Sequence, residues 1–161
     1  MQKDLKGLMS AKHIIVNLTA QNAHQVIDIL TTSLSETNHV SPAFSKDVWI
    51  REQVFPTGLP TEPIPIAIPH ADPDNVNESA VGIGILKSPV EFGQMGTDGS
   101  TKVNAYIIFL LAIKEREKQV IMIGQLIKLI QTGDLLEKLI EAQDASECLV
   151  MLNEALQETD R

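Results

Sequence analysis

Residues 105–113 read Ala-Tyr-Ile-Ile-Phe-Leu-Leu-Ala-Ile, nine apolar residues in succession with no charge, glycine or proline. A half-exposed strand alternates apolar with polar residues, and an amphipathic helix repeats its apolar residues every three or four positions. An unbroken run of this length marks a central β-strand covered on both faces. A chain that carries one must place helices on both sides of its sheet, which points to an α/β architecture.

The rest of the chain supplies the partners. Residues 12–18 read as a short strand. Ala23, Val26, Ile27, Leu30 and Leu34 fall at i, i+3, i+4, i+7 and i+11, an amphipathic helix of about three turns. Ser41-Pro42 offers an N-cap and a proline at the first helical position. The helix it opens carries Phe44 and Val48, has Arg51 and Glu52 in its last turn, and must stop before Pro56. Residues 55–65 hold four prolines and one glycine, a stiff connector. Residues 64–68 resume as a strand, and Pro65 and Pro69, which lack ladder donors, place it at a sheet edge or a strand end. Residues 79–86 form a strand in which Val81, Ile83 and Ile85 face the core, while Gly82 and Gly84 leave room for close backbone approach. Residues 90–95 suggest a further short strand, ended by Gly96-Thr97-Asp98-Gly99. Three helices follow. The first has a stripe of Val120, Ile123, Ile127 and Ile130. A second, short one after Gly133-Asp134 bears Leu135, Leu136, Leu139 and Ile140. The last, from about Ser146, buries Cys148, Leu149, Leu152 and Leu156 before a polar tail. With no internal repeat or second compositional regime, residues 1–161 read as one α/β domain, a mixed β-sheet covered on both faces by helices.

Composition narrows the function classes. A chain of 161 residues suits one domain, long enough to bury ~70% of its unfolded surface. The formal charge is −8, with no cluster of Lys and Arg, so nucleic acid is repelled rather than attracted. Cys148 is the only cysteine and cannot form an internal disulfide, which fits a reducing cytoplasm. Residues 1–10 are charged and lack the apolar core of a signal peptide. No uncharged stretch approaches the ~18 residues needed to cross a bilayer. The expectation is a cytoplasmic protein.

The residue that stands out chemically is His70, at the end of the rigid run Ile66-Ala67-Ile68-Pro69-His70. A loop rich in Asp and Asn follows at once, as though a histidine were fixed at the mouth of a site. His13, His24 and His39 read as surface or partly buried hydrogen-bonded residues. Asp72 and Asp74 could join His70 on a metal, but no further His, Cys or Glu ligand has suitable spacing. Asp72-Pro73-Asp74-Asn75 reads more simply as a turn with side-chain caps. A hydrolytic triad lacks its Gly-x-Ser-x-Gly elbow, and Cys148, inside an apolar helical stripe, reads as buried filler. Neither a Walker loop nor a dinucleotide fingerprint is present, so no cofactor is expected. What remains is His70 as nucleophile or base. A neutral imidazole can take up and release a phosphoryl group, which asks the protein mainly for positioning and for cationic or hydrogen-bonding groups around the phosphoryl oxygens. Arg51 and the Thr57 hydroxyl are groups of the right kind, although Arg51 also reads as half of a surface ion pair with Glu52 or Asp47.

Arg51-Glu52, Pro56-Thr57-Gly58 and Ile66-Ala67-Ile68-Pro69-His70 together resemble the signature of the mannitol/fructose-type EIIA domains, phosphocarriers of the bacterial sugar phosphotransferase system. The likeness covers nearly the whole chain and implies that fold. It implies that His70 accepts a phosphoryl group from phospho-HPr, through the ring nitrogen remote from the backbone, and passes it to a cysteine of a cognate EIIB. Membrane-embedded EIIC is then an indirect partner. Arg51 and Thr57 would be active-site neighbours, with Glu52 in support. Many relatives carry a second histidine at the start of the helix after the long strand, where this chain has Gln119. Within the family the chain resembles galactitol-type EIIA proteins, through the Phe-Pro-Thr-Gly turn, the longer insert before Ile-Ala-Ile-Pro-His and that glutamine. The leading expectation is therefore transport of a polyol such as galactitol, with EIIB on a separate chain. The alternative is a regulatory EIIA-like module that binds a target protein according to its phosphorylation state. For a carrier, an apolar docking surface around His70 is expected, with Phe55, Leu59, Ile64 and Ile68 as candidates.

Overall fold

The computed structural model describes residues 5–159, so the polar tail at Asp160 and Arg161 and the first four residues of the presumed non-signal segment lie outside it. In chain order the elements are β1 (Ile14–Leu18), α1 (Ala23–Glu36), α2 (Phe44–Val54), β2 (Gly58–Leu59), β3 (Ile66–Ala67), β4 (Ala80–Gly93), β5 (Lys102–Ala112), α3 (Gln119–Ile130), α4 (Leu135–Glu141) and α5 (Ala145–Thr159). The apolar run becomes β5, the middle of a sheet ordered β1-β4-β5-β3-β2. β4 runs antiparallel to β5, whereas β1 on β4 and β3 on β5 are parallel, so the sheet is mixed.

Alternate residues of the two long strands point to opposite faces, and each face has its own core. Val81, Ile83, Ile107, Phe109 and Leu111 pack with Met122, Leu126, Leu139, Cys148 and Leu152 from α3, α4 and α5. Ile108, Leu110 and Ala112 pack with Val26, Ile27, Leu30, Leu34, Phe44 and Val48 from α1 and α2. Burying each such aliphatic side chain contributes about 1.5–3 kcal/mol, and continuous apolarity in β5 is the direct consequence of having two cores. The expected α/β class, with a mixed sheet covered on both faces, is what the chain adopts.

Several local expectations change. The first strand starts at Ile14, because residues Ala11–His13 form a 3-10 turn capped by the Ser10 side chain. The two strands expected at 79–86 and 90–95 are one strand, β4. Its pairing with β5 slips between Ile85 and Val90, an irregularity that accommodates Pro89, which has no N–H for the ladder. Gly82 and Gly84 face α1; a Cβ on Gly82 would meet Leu30 Cβ at an ordinary 3.6 Å, so the close approach does not require that glycine, whereas a Cβ on Gly84 would crowd Leu18 Cδ1 at 3.2 Å. Ser41 does not cap α2 in the expected way. Its hydroxyl accepts the Ala43 N–H at 3.2 Å, and the helix opens two residues after Pro42. The strand expected at 64–68 is only Ile66–Ala67, and two-residue β2 lies outside it, so β3 is not the edge. Pro65 and Pro69 flank it as strand ends. Having no N–H to give, they serve as acceptors only, taking the amides of Tyr106 (2.9 Å) and Leu111 (3.0 Å) on β5. In the last helix, which starts at Ala145, Leu149 is half-buried rather than core.

Candidate functional site

His70 directly follows the second of those prolines. Its backbone forms a parallel bridge with Leu111, so the residue is fastened to the central strand. The ring is buried, 8% exposed, and Nδ1 lies 2.8 Å from the Ile68 carbonyl. A carbonyl can only accept, so Nδ1 carries the proton and the lone pair sits on Nε2, the nitrogen remote from the backbone. Burial lowers the imidazole pKa below its ordinary value and the Arg51 charge adds to this, against the Ile68 hydrogen bond and Asp72, which raise it. The neutral ring therefore presents Nε2 as a free nucleophile at neutral pH.

Arg51 and Glu52, adjacent in the last turn of α2, point to different environments. The Arg51 guanidinium lies over the Phe55 ring, 5.1 Å from its centroid, and its buried Nε has no hydrogen-bond partner. It is not the surface ion pair that the sequence allowed with Glu52 or Asp47. Asp47 accepts from the Asn75 side chain, and Glu52 is taken up by Thr57. Glu52 is 6% exposed and continues the buried stripe of Phe44 and Val48. Its two oxygens accept the Thr57 N–H and the Thr57 hydroxyl, each at 2.8 Å. Burial pushes its pKa up to about 7, while the two Thr57 hydrogen bonds and Arg51 pull it down. The Thr57 carbonyl in turn accepts the N–H of Ile68 at 3.3 Å, the residue whose own carbonyl holds His70. Gln119, the first residue of α3, reaches back to donate from Nε2 to the Ala71 carbonyl at 3.2 Å, and its buried Oε1 has no partner. The five residues singled out from sequence thus converge on one region. Thr57 departs from the expectation in one respect: its hydroxyl proton is already given to Glu52.

Beside them lies a cleft of about 320 Å³ whose lining includes Ile50, Arg51, Val54, Phe55, Ala71 and Asp72; Arg51 is the one of the five that lines it, and His70 directly precedes its wall at Ala71. Ile50, Val54 and Phe55 form an exposed apolar rim on one side, and Val120 (78% exposed) and Ile121 are exposed on α3 next to Gln119, which reaches Ala71 in the cleft wall. Of the four apolar residues proposed for this rim, only Phe55 belongs to it, since Ile68 is fully buried and Leu59 and Ile64 pack on the core. The signal for Ile50 and Val54 was present, since they lie on the side of α2 opposite Phe44 and Val48. Val120 is a correction: it was expected in the apolar stripe of α3, but that helix buries Met122, Leu126, Leu129 and Ile130, with Ile123 and Ile127 partly buried, and Val120 faces solvent. The loop after His70 makes the expected turn, Pro73–Asn75, without side-chain caps. Asp72 instead pairs with Arg116 at 3.1 Å. Among the described residues no group of three or more His, Cys, Asp or Glu is placed to hold a metal ion. The other histidines have separate engagements. His13 and His39 share the Thr37 hydroxyl at 2.7 and 2.8 Å, and His24 stacks on Trp49.

Residues 7–155 match the family described as "Phosphoenolpyruvate-dependent sugar phosphotransferase system, EIIA 2". The chain belongs to this family. It is accordingly a phosphotransferase component. The chain is 27% identical over 158 residues to the "Multiphosphoryl transfer protein" of Escherichia coli O6:H1, covering 96% of itself but only 18% of that protein. It is 29% identical over 119 residues to the "Transcriptional regulator ManR" of Bacillus subtilis, covering 73% of itself and 17% of the regulator. The chain thus spans under a fifth of these relatives. In fold it is similar to enzyme IIA-mannitol of Escherichia coli, solved in complex with phosphorylated enzyme IIB-mannitol, with a TM-score of 0.74 at 23% identity over 91% of this chain and 99% of that one. No helix of this EIIA's described residues is long and apolar enough to cross a membrane.

Proposed function

We propose that this EIIA is a cytoplasmic phosphocarrier that takes a phosphoryl group from phospho-HPr onto Nε2 of His70 and hands it to a cysteine of a cognate EIIB, in uptake of a polyol such as galactitol through EIIC. The observation that carries this reading is the His70 ring, neutral, with Nδ1–H committed to the Ile68 carbonyl and Nε2 left as nucleophile. Transfer needs in-line positioning and charge stabilisation, not cofactor chemistry. Arg51 supplies the cation, with an Nε that has no other partner. Gln119 orders the Ala71 peptide and has a second Nε2 proton to offer. The apolar rim suits transient docking of two protein partners in turn. Galactitol is supported by the Phe55-Pro56-Thr57-Gly58 turn and by Gln119 in the place where many relatives have histidine. Residues 1–161 act in this reading as one domain.

The second reading, a module that binds a target protein according to its phosphorylation state, is favoured by the similarity to the regulator ManR. Both share the first step. The protein is to be incubated with Enzyme I, HPr and labelled phosphoenolpyruvate, beside His70→Ala. Acid-labile, base-stable label that disappears in the variant is expected. Active donors and an unlabelled wild type would sink the carrier reading. Label that never moves on to EIIB would favour the regulatory one.

A further inference from the structure

Thr57 has one hydroxyl proton, and while Glu52 is ionised, above about pH 7 in the unphosphorylated protein, that proton is spent on Glu52. So is its amide proton. As long as Glu52 is an acceptor on both oxygens, the Thr57 side chain has nothing to donate to a phosphoryl oxygen. A protonated Glu52 changes this: its own O–H donates to Thr57 Oγ, the Thr57 N–H still binds the carbonyl oxygen of the acid, and the Thr57 hydroxyl proton is set free. We infer that Glu52 is a positioning residue, whose uptake of a proton on phosphorylation reverses its hydrogen bond with Thr57 and turns the Thr57 hydroxyl toward the phosphoryl group on His70. The inference rests on the phosphocarrier reading above and extends it to the regulation of the same site by pH.

The chemistry balances without a further reagent. As phosphoryl passes from the phosphohistidine of the donor, its P–N bond breaks and a bond to Nε2 of His70 forms. The proton on His70 Nδ1 stays on that nitrogen, still donated to the Ile68 carbonyl, and the proton taken up by Glu52 comes from solvent. The driving force is electrostatic. The phosphoryl group brings about two negative charges to a site whose Arg51 already acts on both His70 and Glu52. Negative charge arriving near a buried carboxylate favours its neutral form. Burial already disfavours the carboxylate, so the uptake falls in an accessible pH range. The charged groups facing Glu52 are Arg51 on α2 and, across a hollow that Glu52 also lines, Glu91 on β4, Asp98 in the hairpin and Lys102 on β5. His70 does not line that hollow and is joined to Glu52 through Ile68 and Thr57.

The test is the equilibrium between phosphorylated and free protein at a fixed ratio of phospho-HPr to HPr, from pH 6 to 8.5, for wild type, Glu52→Gln, Thr57→Val and Thr57→Ser. Glutamine presents an N–H to Thr57 Oγ and so imitates the protonated acid at every pH. Wild type is expected to lose phosphorylation relative to Glu52→Gln as pH rises, at most about tenfold per unit for one linked proton. The Gln variant then exceeds wild type at pH 8.5. The donor's own pH dependence is common to both and cancels in the ratio. Thr57→Val loses both the pH dependence and several-fold of the phosphorylation, and Thr57→Ser restores them, which separates the hydroxyl from a fault in folding. Parallel profiles for wild type and Glu52→Gln, or an unimpaired Thr57→Val, would overturn the inference while leaving the carrier intact. A wild type that takes no phosphoryl group at any pH overturns both.

Discussion

His70 and Glu52 sit within one hydrogen-bonded chain but make stability depend on pH in opposite senses. Burial lowers the His70 pKa, so below about 6.5 the unfolded chain binds a proton that the folded one refuses, and stability rises with pH up to that value. Glu52 behaves in reverse. Its folded pKa is pushed up to about 7 from 4.5, so between those values the folded chain keeps a proton that the unfolded chain releases. Its contribution therefore falls as pH rises and is fully lost above about 7. Replacing Glu52 by Gln removes the falling part. The stability of Glu52→Gln relative to wild type should grow by about 3 kcal/mol between pH 4.5 and 7.5, read from urea midpoints at each pH. A constant difference would mean that the carboxylate is solvated in solution. His70 itself was legible because prolines and apolar residues lead straight up to it. Glu52 was undervalued as a mere supporter. The sign was its register, since Phe44, Val48 and Glu52 are i, i+4 and i+8 on one face, which carries the carboxylate into the core.

The elements that hold these residues are short, and one glycine governs their approach. A Cβ on Gly58 would stand 2.6 Å from the Gly93 carbonyl oxygen and 3.1 Å from Val103 Cβ, both parts of the rigid β4–β5 pair. Gly58→Ala should cost about 1–3 kcal/mol and, because β2 must shift, weaken phosphorylation through its neighbour Thr57. Gly82→Ala makes the instructive contrast. Its Cβ would find ordinary contacts at 3.6 Å and beyond, so stability should change by less than about 1 kcal/mol and in the favourable direction. Thermal unfolding of the two variants side by side decides both. On α3, Val120→Asp should leave stability within about 0.5 kcal/mol, since Val120 is 78% exposed. Its initial rate of phosphorylation by phospho-HPr should fall, and an unchanged rate would remove α3 from the docking rim. Most helices were read from the sequence to within a few residues because a stripe of four or five apolar positions is redundant and survives one misplaced residue such as Val120. β2 was not, because two residues carry no periodicity, and β3 was read at 64–68 but is only Ile66–Ala67. The reading of 79–86 and 90–95 as two strands erred in the other direction, since the register shift around Pro89 interrupts the ladder but leaves the strand's path intact.

For the whole molecule, the nine-residue run settled the class, since a strand apolar throughout has no solvated face. The order of the strands was not readable in the same way. β1 pairs with β4 across nearly seventy residues, Ile14 with Ile83, and local sequence does not encode such distant partnerships. The last helix closes one of the two cores through Cys148, which is fully buried and whose thiol is pushed up to about 11, first by burial and then by Glu147 and Asp144. Native protein should therefore resist a thiol reagent, and the labelling rate should rise with sub-denaturing urea in step with opening of the fold. Rapid labelling in buffer would show that α5 detaches on its own. The bridge from His70 to Leu111 has a consequence of the same kind for the site. The Leu111 amide donates to Pro69, so the histidine is tied to the central strand by a hydrogen whose release requires that strand to separate from its neighbour. Its exchange with deuterated water should be among the slowest in the chain, so the acceptor nitrogen stays aimed through every lesser fluctuation and partners can come and go around a fixed point.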